Sequence, residues 1–210
     1  MVGVVSSATA FSGLKEFPCD VVEARLDLIG HPAGWVGRCQ EIEAAGKPVL
    51  LTMRLKSQGG SCRISDEARM AVFEEALTLS AVDVELCSKI AGEIARMASD
   101  VGKACVLSHH DFEKTPSLDE LKRVVADAEK LGGVTKIATM IRSVNDIDTL
   151  KSLLALPRQQ PLCVIGMGEA WSHLRVELAQ LGSCLTYGFL DASAAPGQVS
   201  AATLVAALRQ

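Results

Sequence analysis

Short apolar segments alternate with helical segments along the whole chain, and this alternation constrains the fold more than any other feature. Helices are predicted at residues 35–45, 65–79, 117–131, 144–155 and 170–181. One further helix ends near residue 99, and another begins after Ser200. Eight strand-like segments lie at residues 2–5, 20–27, 48–54, 82–86, 104–110, 132–140, 161–166 and 184–188. Their spacing of roughly 20–30 residues is that of βα units, so the chain predicts a parallel sheet covered by helices.

Eight such units that close on themselves form a TIM barrel, the α/β fold that we predict as a single domain over residues 1–210. The chain is near the ~200-residue lower limit of that fold. Residues 6–17 leave room for only a short helix, so the first βα unit should be short. A doubly wound open sheet is the alternative. No G-x-G-x-x-G pattern follows the first strand, so the dinucleotide-binding version of that alternative lacks support.

Composition excludes several other classes of protein. Hydrophobic residues make up 49% and charged residues 22% of the chain, which is typical of a globular domain and not of a disordered or membrane protein. No apolar run approaches the ~18–20 residues of a membrane span, and Met1–Val5 lacks the basic segment of a secretory signal. The net charge of −4 comes without a basic stripe, so we expect no nucleic-acid partner. Seven cysteines without a CxxC pair indicate buried thiols in a reducing cytoplasm.

The segment at residues 132–140, GGVTKIATM, carries a lysine in the middle of an otherwise strand-like sequence. Lysine is almost never fully buried unless it is paired or has a chemical role. On an edge strand, Lys136 would point into solvent. In an apolar cavity, desolvation would favour the neutral amine, which attacks carbonyl carbons and forms Schiff bases.

Further polar residues fall where a barrel carries its function, at the C-terminal ends of the strands. Arg54 and His110 end the third and fifth segments. Period-two alternation also places charged residues together on one face of the second and fourth segments: Glu23, Arg25, Asp27, Asp83 and Glu85. A closed barrel has no edge strands, so the charges are expected to line a polar pocket and the solvent-exposed interpretation of Lys136 is weakened.

Several short motifs occur in a fixed order from one end of the chain to the other. They are EARLD at 23–27, TMR at 52–54, DVE at 83–85, SHHDF at 108–112, TP at 115–116, KIA at 136–138, MG at 167–168, Arg175 and APGQ at 195–198. In this order they resemble the type I 3-dehydroquinate dehydratase family. Any one motif is weak evidence, but together they make chance a poor explanation.

The resemblance implies a TIM-barrel catalytic domain that acts as a hydro-lyase in the shikimate pathway of aromatic amino-acid biosynthesis. It would convert 3-dehydroquinate into 3-dehydroshikimate and water. Lys136 would form an imine with the C3 ketone, which makes a C2 proton removable. His110 would take that proton as general base and then protonate the departing C1 hydroxyl, and an unperturbed pKa of roughly 6.5 suits both duties. Because the imine does what a Lewis acid would do, no metal or other cofactor is expected.

The same resemblance implies substrate-binding residues and partners. Arg175 would hold the substrate carboxylate as a bidentate fork, and the ring hydroxyls would be bound by Glu23, Arg25 and Arg54. Gln198 would come from a loop that closes over the site. The arginine charges fit an anionic substrate and would help keep Lys136 neutral. A cytoplasmic homodimer without membrane contact is also expected.

Two loops depart from the family pattern. Gln58 stands where the family usually has a glutamate near the catalytic histidine. Ala194 stands where the closing loop usually has a serine, with Ser193 one place away. We therefore expect a loosely closing lid over an intact pair of His110 and Lys136.

Supporting roles are expected for a few more residues. Asp83 or Glu85 would orient His110, although either could equally be a structural partner of nearby arginines. His109 should point the other way, into the barrel wall. The remaining histidines are expected at the surface: His31 and His173.

Three functions stay open from the sequence. The first is the dehydratase. The second is another Schiff-base lyase of the aldolase kind, which shares a strand lysine but has no reason to carry SHHDF or APGQ. The third is an inactive homologue that binds carboxylates without catalysis, an interpretation that rests only on the loop departures.

Overall fold

Strands and α-helices alternate along residues 1–13 and 16–209, the part of the chain that the computed structural model describes. The strands are β1 Val2–Val5, β2 Val21–Arg25, β3 Val49–Thr52, β4 Ala81–Glu85, β5 Ala104–Asp111, β6 Val134–Met140, β7 Leu162–Met167 and β8 Tyr187–Phe189. The helices are α1 Ala8–Gly13, α2 Leu26–Ile29, α3 Trp35–Ala44, α4 Asp66–Ala76, α5 Ala91–Asp100, α6 Leu118–Glu129, α7 Val144–Ala155, α8 Leu174–Gln180 and α9 Ala201–Leu208. Single 3₁₀ turns occur at Lys56–Gln58 and Glu169–Trp171.

The sheet follows the order of the sequence. β1 lies between β2 and β8, and strands β2 to β7 continue in turn from it. Neighbouring strands are parallel, as between β5 and β6, where Ser108 is in register with Lys136. The segment that precedes β8 contacts β7 through isolated hydrogen bonds, including one of 3.0 Å from the Cys184 N–H to the Leu162 carbonyl. This order confirms the predicted single-domain (β/α)8 barrel and excludes the doubly wound sheet, whose strand order reverses at a switch point.

Apolar side chains fill both sides of the strands, as expected for a parallel sheet covered by helices. Inside the barrel, Val2, Leu50 and Ile165 belong to one buried cluster. Outside it, the helices cover the opposite faces of the strands, and Ile137 of β6 packs with Leu150 of α7. Apolar side chains therefore fill the interior of the barrel, and polar groups concentrate at the C-terminal ends of the strands.

Three predicted helix starts are confirmed. The Ser65 hydroxyl accepts the Ala68 N–H at the start of α4, and the Ser200 hydroxyl accepts the Thr203 N–H at the start of α9. The capping box of α6 is complete, because the Ser117 N–H donates to Glu120 Oε2 over 2.8 Å. These side chains satisfy backbone N–H groups that a helix leaves without internal partners.

The structure differs from the predicted segments at several places. β3 ends at Thr52, so Arg54 follows the strand, and α4 ends at Ala76. Three further differences bear on the site. β2 stops at Arg25, and Asp27 lies in α2, where burial of Leu26 and Ile29 favours a helical turn. The helix predicted at 170–181 is a 3₁₀ turn followed by α8, a break that precedes the inward-facing Arg175. The eighth strand begins only at Tyr187, because residues 183–185 contact β7 through isolated hydrogen bonds and not through a regular strand ladder. In one of these bonds the Ser183 hydroxyl accepts the Val164 N–H.

The first βα unit is short, as predicted. α1 covers Ala8–Gly13, and residues 14–15 of the segment predicted at 6–17 lie outside the described residues. Among the helices of the described ranges, none combines the length and the hydrophobicity that a membrane crossing requires.

Candidate active site

A pocket opens at the C-terminal ends of the strands, and seven predicted catalytic and substrate-binding residues line it. These are Glu23, Arg25, Arg54, His110, Lys136, Arg175 and Gln198. Gln58 also lines the pocket, together with apolar residues such as Ile165 and Met167. The tertiary structure thus brings together residues that are up to 175 positions apart in the sequence.

Lys136 projects from β6 into this pocket and is only 4% exposed. Its Nζ donates to Asp83 Oδ2 over 2.9 Å and lies 3.8 Å from Glu23 Oε1. Lys136 is buried, as one of the two interpretations predicted, but the prediction of an apolar cavity is wrong. The amine lies between two carboxylates and above the Tyr187 ring, whose centroid is 4.1 Å from Nζ. An ammonium group held in this way must lose a proton before it can act as a nucleophile.

A buried charge network fixes the carboxylates beside Lys136. Arg54 Nη2 donates to Asp83 Oδ2 over 2.9 Å, and Arg54 Nη1 donates to the Ser108 hydroxyl and lies 3.5 Å from Glu85 Oε1. The Ser108 hydroxyl in turn donates to Asp83 Oδ1 over 2.6 Å. Arg54 and Lys136 hold the pKa of Asp83 well below its usual range, against the effect of its burial. Asp83 is thus a fixed anion between two cations.

Glu85 belongs to the outer part of the same network. It accepts the Leu55 N–H over 2.8 Å and forms an ion pair with the fully buried Arg69 of α4. Within the described part of the chain, neither Asp83 nor Glu85 hydrogen-bonds His110. Of the two alternatives from the sequence, the contacts support structural partners of arginines.

Glu23 and Arg25 reach the pocket from β2. Glu23 Oε1 accepts the Thr52 hydroxyl over 2.7 Å. Arg25 forms a bidentate pair with Asp27, with both N–O distances 2.9 Å. The predicted common face for these charges holds for Glu23 and Arg25, whereas Asp27 approaches from α2 as the counterion of Arg25.

His110 lies above Lys136 and is held by packing. Its ring stacks on Phe112, with centroids 6.1 Å apart and planes 12° from parallel. Phe112 also fits against Gly59, where a Cβ would lie 2.2 Å from the Phe112 ring. His110 Nδ1 is buried and has no hydrogen-bond partner among the described residues. Burial, followed by the charges of Arg54 and Lys136, lowers the pKa of His110 well below 6.5, which favours the neutral base.

Gln58 contacts the main chain of His110: its side-chain Oε1 accepts the His110 N–H over 2.8 Å. The substitution at this position therefore keeps a contact with the strand that carries the histidine. His109 is absent from the pocket lining, in agreement with the predicted strand parity. Both surface histidines are confirmed as exposed: His31 and His173.

Arg175 differs from the other pocket cations in its partners. Its Nε donates to the Gly197 carbonyl over 3.0 Å, and its Nη1 to the Tyr187 carbonyl over 3.4 Å. No carboxylate of the described residues lies within ion-pair distance of its guanidinium, although the residue is only 3% exposed. Burial lowers its pKa from 12.5 to about 10, so it remains charged near neutral pH. The pocket thus contains one buried positive charge without a protein anion.

The predicted closing loop covers one side of the pocket. Gln198 Oε1 accepts the Ala194 N–H over 2.8 Å, and both residues line the pocket. The loop rests on the end of β7, where the Gly168 N–H donates to the Pro196 carbonyl over 3.3 Å. Ser193 is exposed, and its hydroxyl donates to the Ala195 carbonyl over 3.0 Å, so it does not line the pocket.

For three neighbours of Lys136 and His110 the sequence predicted no role: Ser108 and Phe112, which occur in the SHHDF motif, and Tyr187. Ser108 and Phe112 have the same strand parity as His110, a signal that could have identified them. Tyr187 lies in the short eighth strand, where the position of the ring depends on barrel closure. Metal-ligand spacing offers no further candidate, since the described residues contain no group of three or more histidine, cysteine, aspartate or glutamate side chains that could hold a metal ion.

The arrangement combines a buried amine, a neutral imidazole and an uncompensated cation in one pocket. Comparison with known proteins agrees with this chemistry. Residues 5–210 match the family described as type I 3-dehydroquinase. The 3-dehydroquinate dehydratase of Methanocella arvoryzae is 32% identical over 212 residues, which cover 98% of this chain and 95% of that protein. The enzyme of the same name from Methanothrix thermoacetophila is 35% identical over 193 residues, covering 90% and 81%.

A solved structure shows the same likeness in three dimensions. The crystal structure of 3-dehydroquinate dehydratase from Aquifex aeolicus VF5 superimposes with a TM-score of 0.87 at 27% sequence identity, and the match covers 99% of this chain and 96% of that one.

Proposed function

The chain belongs to the type I 3-dehydroquinase family, and from this premise we propose that it converts 3-dehydroquinate into 3-dehydroshikimate and water, as a hydro-lyase of the shikimate pathway. One observation carries the proposal. The buried Lys136 amine, the His110 imidazole and the unpaired Arg175 guanidinium line the same pocket. A keto acid that is attacked at its ketone and deprotonated next to it needs these three groups.

The first step is the formation of an imine. Lys136, after losing a proton, attacks the C3 ketone, a C–N bond forms, and the ketone oxygen leaves as water. The resulting iminium draws electrons from the adjacent C2–H bond and makes that proton acidic.

The second step is the elimination. His110 takes the C2 proton, and the electron pair moves towards the iminium nitrogen to give an enamine. The pair then returns, the C1–O bond breaks, and His110 gives its proton to the departing hydroxyl, which leaves as water. Hydrolysis of the remaining iminium consumes one water and releases the enone, so the net change is the loss of one water. The lowered pKa of His110 supports a neutral imidazole as the base at the start of this cycle.

Substrate binding is assigned by charge and hydrogen-bonding capacity. Arg175 binds the carboxylate, because it is the pocket cation without an acidic partner in the described structure, and its fork geometry suits two oxygen atoms. Glu23, Arg25 and Arg54 bind ring hydroxyls. Arg25 donates from Nε and Nη2 to Asp27, which leaves the other guanidinium N–H groups free to bind a ligand. Gln198 contributes from the closing loop.

We further propose one catalytic domain over residues 1–210, active as a cytoplasmic homodimer without a cofactor. The seven cysteines are free thiols, which supports a reducing compartment; five are buried as predicted, whereas Cys87 and Cys184 are exposed, contrary to the prediction. The imine supplies the electron sink that a Lewis acid would otherwise provide.

The decisive experiment follows the enone absorbance after 3-dehydroquinate is added, and then treats enzyme and product with borohydride. We expect turnover and a reduced adduct that mass spectrometry locates on Lys136. Lys136→Ala should abolish both, whereas Lys130→Ala, at an exposed lysine paired with Asp127, should change neither. An adduct on another lysine would contradict the mechanism. An adduct without dehydration would favour an aldolase-like lyase, and the absence of both adduct and turnover an inactive homologue.

A further inference from the structure

The aromatic ring of Tyr187 lies directly against the amine of Lys136. Nζ is 4.1 Å from the ring centroid. Both residues are almost completely buried, with 4% exposure for Lys136 and 3% for Tyr187. A cation within about 6 Å of a ring face is attracted by the negative charge density of the π-system, and desolvation strengthens this attraction.

The ring complements the polar contacts of the amine. An ammonium has three hydrogens. Here one is donated to Asp83 Oδ2 over 2.9 Å, and Glu23 Oε1 lies 3.8 Å away as a weaker second acceptor. No other polar atom of the described residues hydrogen-bonds Nζ, so the ring is the third close neighbour of the amine beside these two carboxylates.

These contacts respond differently to imine formation. An iminium nitrogen keeps one hydrogen, so contacts that need N–H groups become fewer when Lys136 bonds to a ketone carbon. The attraction to the ring requires only positive charge and close approach, and the iminium retains both. The attraction to the Tyr187 ring therefore survives the change from ammonium to iminium, alongside the one hydrogen bond that the remaining N–H can still donate.

The Tyr187 ring is also well fixed. Its strand pairs with β1, where Val2 is in register with Tyr187. The next residue, Gly188, packs so closely on α9 that a Cβ would lie 2.8 Å from the Ala201 Cα. The Tyr187 hydroxyl is buried and has no hydrogen-bond partner in the described structure, so no polar contact of this side chain explains the ring's position.

We propose that Tyr187 is a positioning residue of the nucleophile: its ring face holds the Lys136 nitrogen in place and stabilises its positive charge, first as ammonium and then as iminium. The iminium part of this inference rests on the proposed function. The ammonium part concerns the protein without ligand and is independent of it.

Ring electronics can be varied at constant shape. Phenylalanine and its mono-, di- and trifluoro derivatives, incorporated at position 187, progressively weaken the π-face with almost no change in volume. We expect the urea midpoint to fall stepwise with each fluorine, with a total loss of roughly 2- to 30-fold in the folding equilibrium constant, the range of a buried cation–π contact.

Two controls separate charge from packing. The same series in a Lys136→Met background should show no dependence on fluorine number. A second series at Phe189, in the same strand but without a cation against its ring among the described residues, should be equally flat. The Phe189 series remains informative if Lys136→Met does not fold.

The covalent state gives the final test. After borohydride reduction with product, the adduct nitrogen is a secondary ammonium, and the stepwise dependence at position 187 should persist. Tyr187→Leu should lower kcat by roughly 2- to 30-fold with little change in KM. Tyr187→Phe, which keeps the aromatic ring, should leave kcat near the original value. Equal slopes at positions 187 and 189, or no slope at 187, would overturn the proposal. A slope at 187 in a protein that forms no adduct would support the ammonium contact and refute the proposed function instead.

Discussion

Asp83 binds Lys136 and Arg54 with the same carboxylate oxygen. Oδ2 lies 2.9 Å from Lys136 Nζ and 2.9 Å from Arg54 Nη2, and Asp83 is fully buried. Arg54, one of the arginines expected to act on Lys136 as a nearby cation, is therefore paired with the same carboxylate that binds the amine. One aspartate thus determines both the charge balance around the Lys136 amine and its position.

Asp83→Asn should destabilise the protein strongly. It leaves two buried cations without their anion, and breaking a buried pair in this way costs about 3–5 kcal/mol. Urea unfolding measures the loss. The control is Asp100→Asn, at the exposed pair with Arg96, which should cost no more than about 0.5 kcal/mol. Equal effects of the two changes would show that the buried network does not contribute as its geometry indicates.

His110→Ala should remove most turnover and leave imine formation detectable. Loss of a general base lowers kcat by about 10²–10⁴. His109→Ala is the matched control, since that side chain does not line the pocket, and it should leave kcat near the original value. Comparable losses from both variants would mean that the strand parity is reversed.

The pH profile of the unchanged enzyme should reflect the environment of His110. Burial and the nearby cations lower the pKa of this residue well below 6.5. In the proposed mechanism the neutral imidazole is the active base, and protonation removes it as the pH falls. The acid limb of kcat/KM should therefore lie below pH 6.5, and a limb above that value would contradict a neutral His110 base.

Gln58→Glu should move that acid limb to higher pH. A carboxylate in the pocket favours protonated His110 and raises the pKa of that residue. Gln58 is close enough to hydrogen-bond the His110 main chain. Gln159→Glu, at an exposed position, adds the same charge far from the pocket and should leave the profile in place. An unchanged profile in the Gln58 variant would show that the new carboxylate turns away from the ring.

Arg175→Lys should raise KM more than it lowers kcat. Lysine supplies one point charge in place of a two-pronged guanidinium. Loss of one hydrogen bond to a charged group, about 1.5–3 kcal/mol, corresponds to roughly a 10- to 150-fold higher KM. Arg158→Lys is the control, because Arg158 also donates to main-chain carbonyls but lies outside this pocket. An unaltered KM for Arg175→Lys would assign the carboxylate to another arginine.

Ala194→Ser should lower KM, since it adds a hydroxyl to a loop residue that lines the pocket. One net hydrogen bond of about 0.5–1.5 kcal/mol corresponds to roughly a 2- to 10-fold change. Ser193→Ala should have no effect on KM, because the Ser193 hydroxyl is exposed and bound to the Ala195 carbonyl. A higher KM for Ser193→Ala would show that Ser193 supplies the hydroxyl expected at position 194.

Much of the barrel could be predicted because its evidence is local. Period-two alternation in β2 and β4 indicated that Glu23, Arg25, Asp83 and Glu85 share inward faces, and serine caps marked the starts of helices. The same parity distinguished His110 from His109. These features depend on neighbours a few residues away, so they can be read directly from the sequence.

The tertiary structure decided how these side chains pair. Asp27 lies in α2 and not in β2 because burial of Leu26 and Ile29 favours a helical turn, and from this position it binds Arg25. Ser108 connects Arg54 to Asp83 across three strands, and Tyr187 reaches Lys136 only because the barrel closes. The sequence by itself determined which residues point inward, since strand parity is a local property. Their partners depend on the stagger between strands and on barrel closure, which bring together residues that are far apart along the chain.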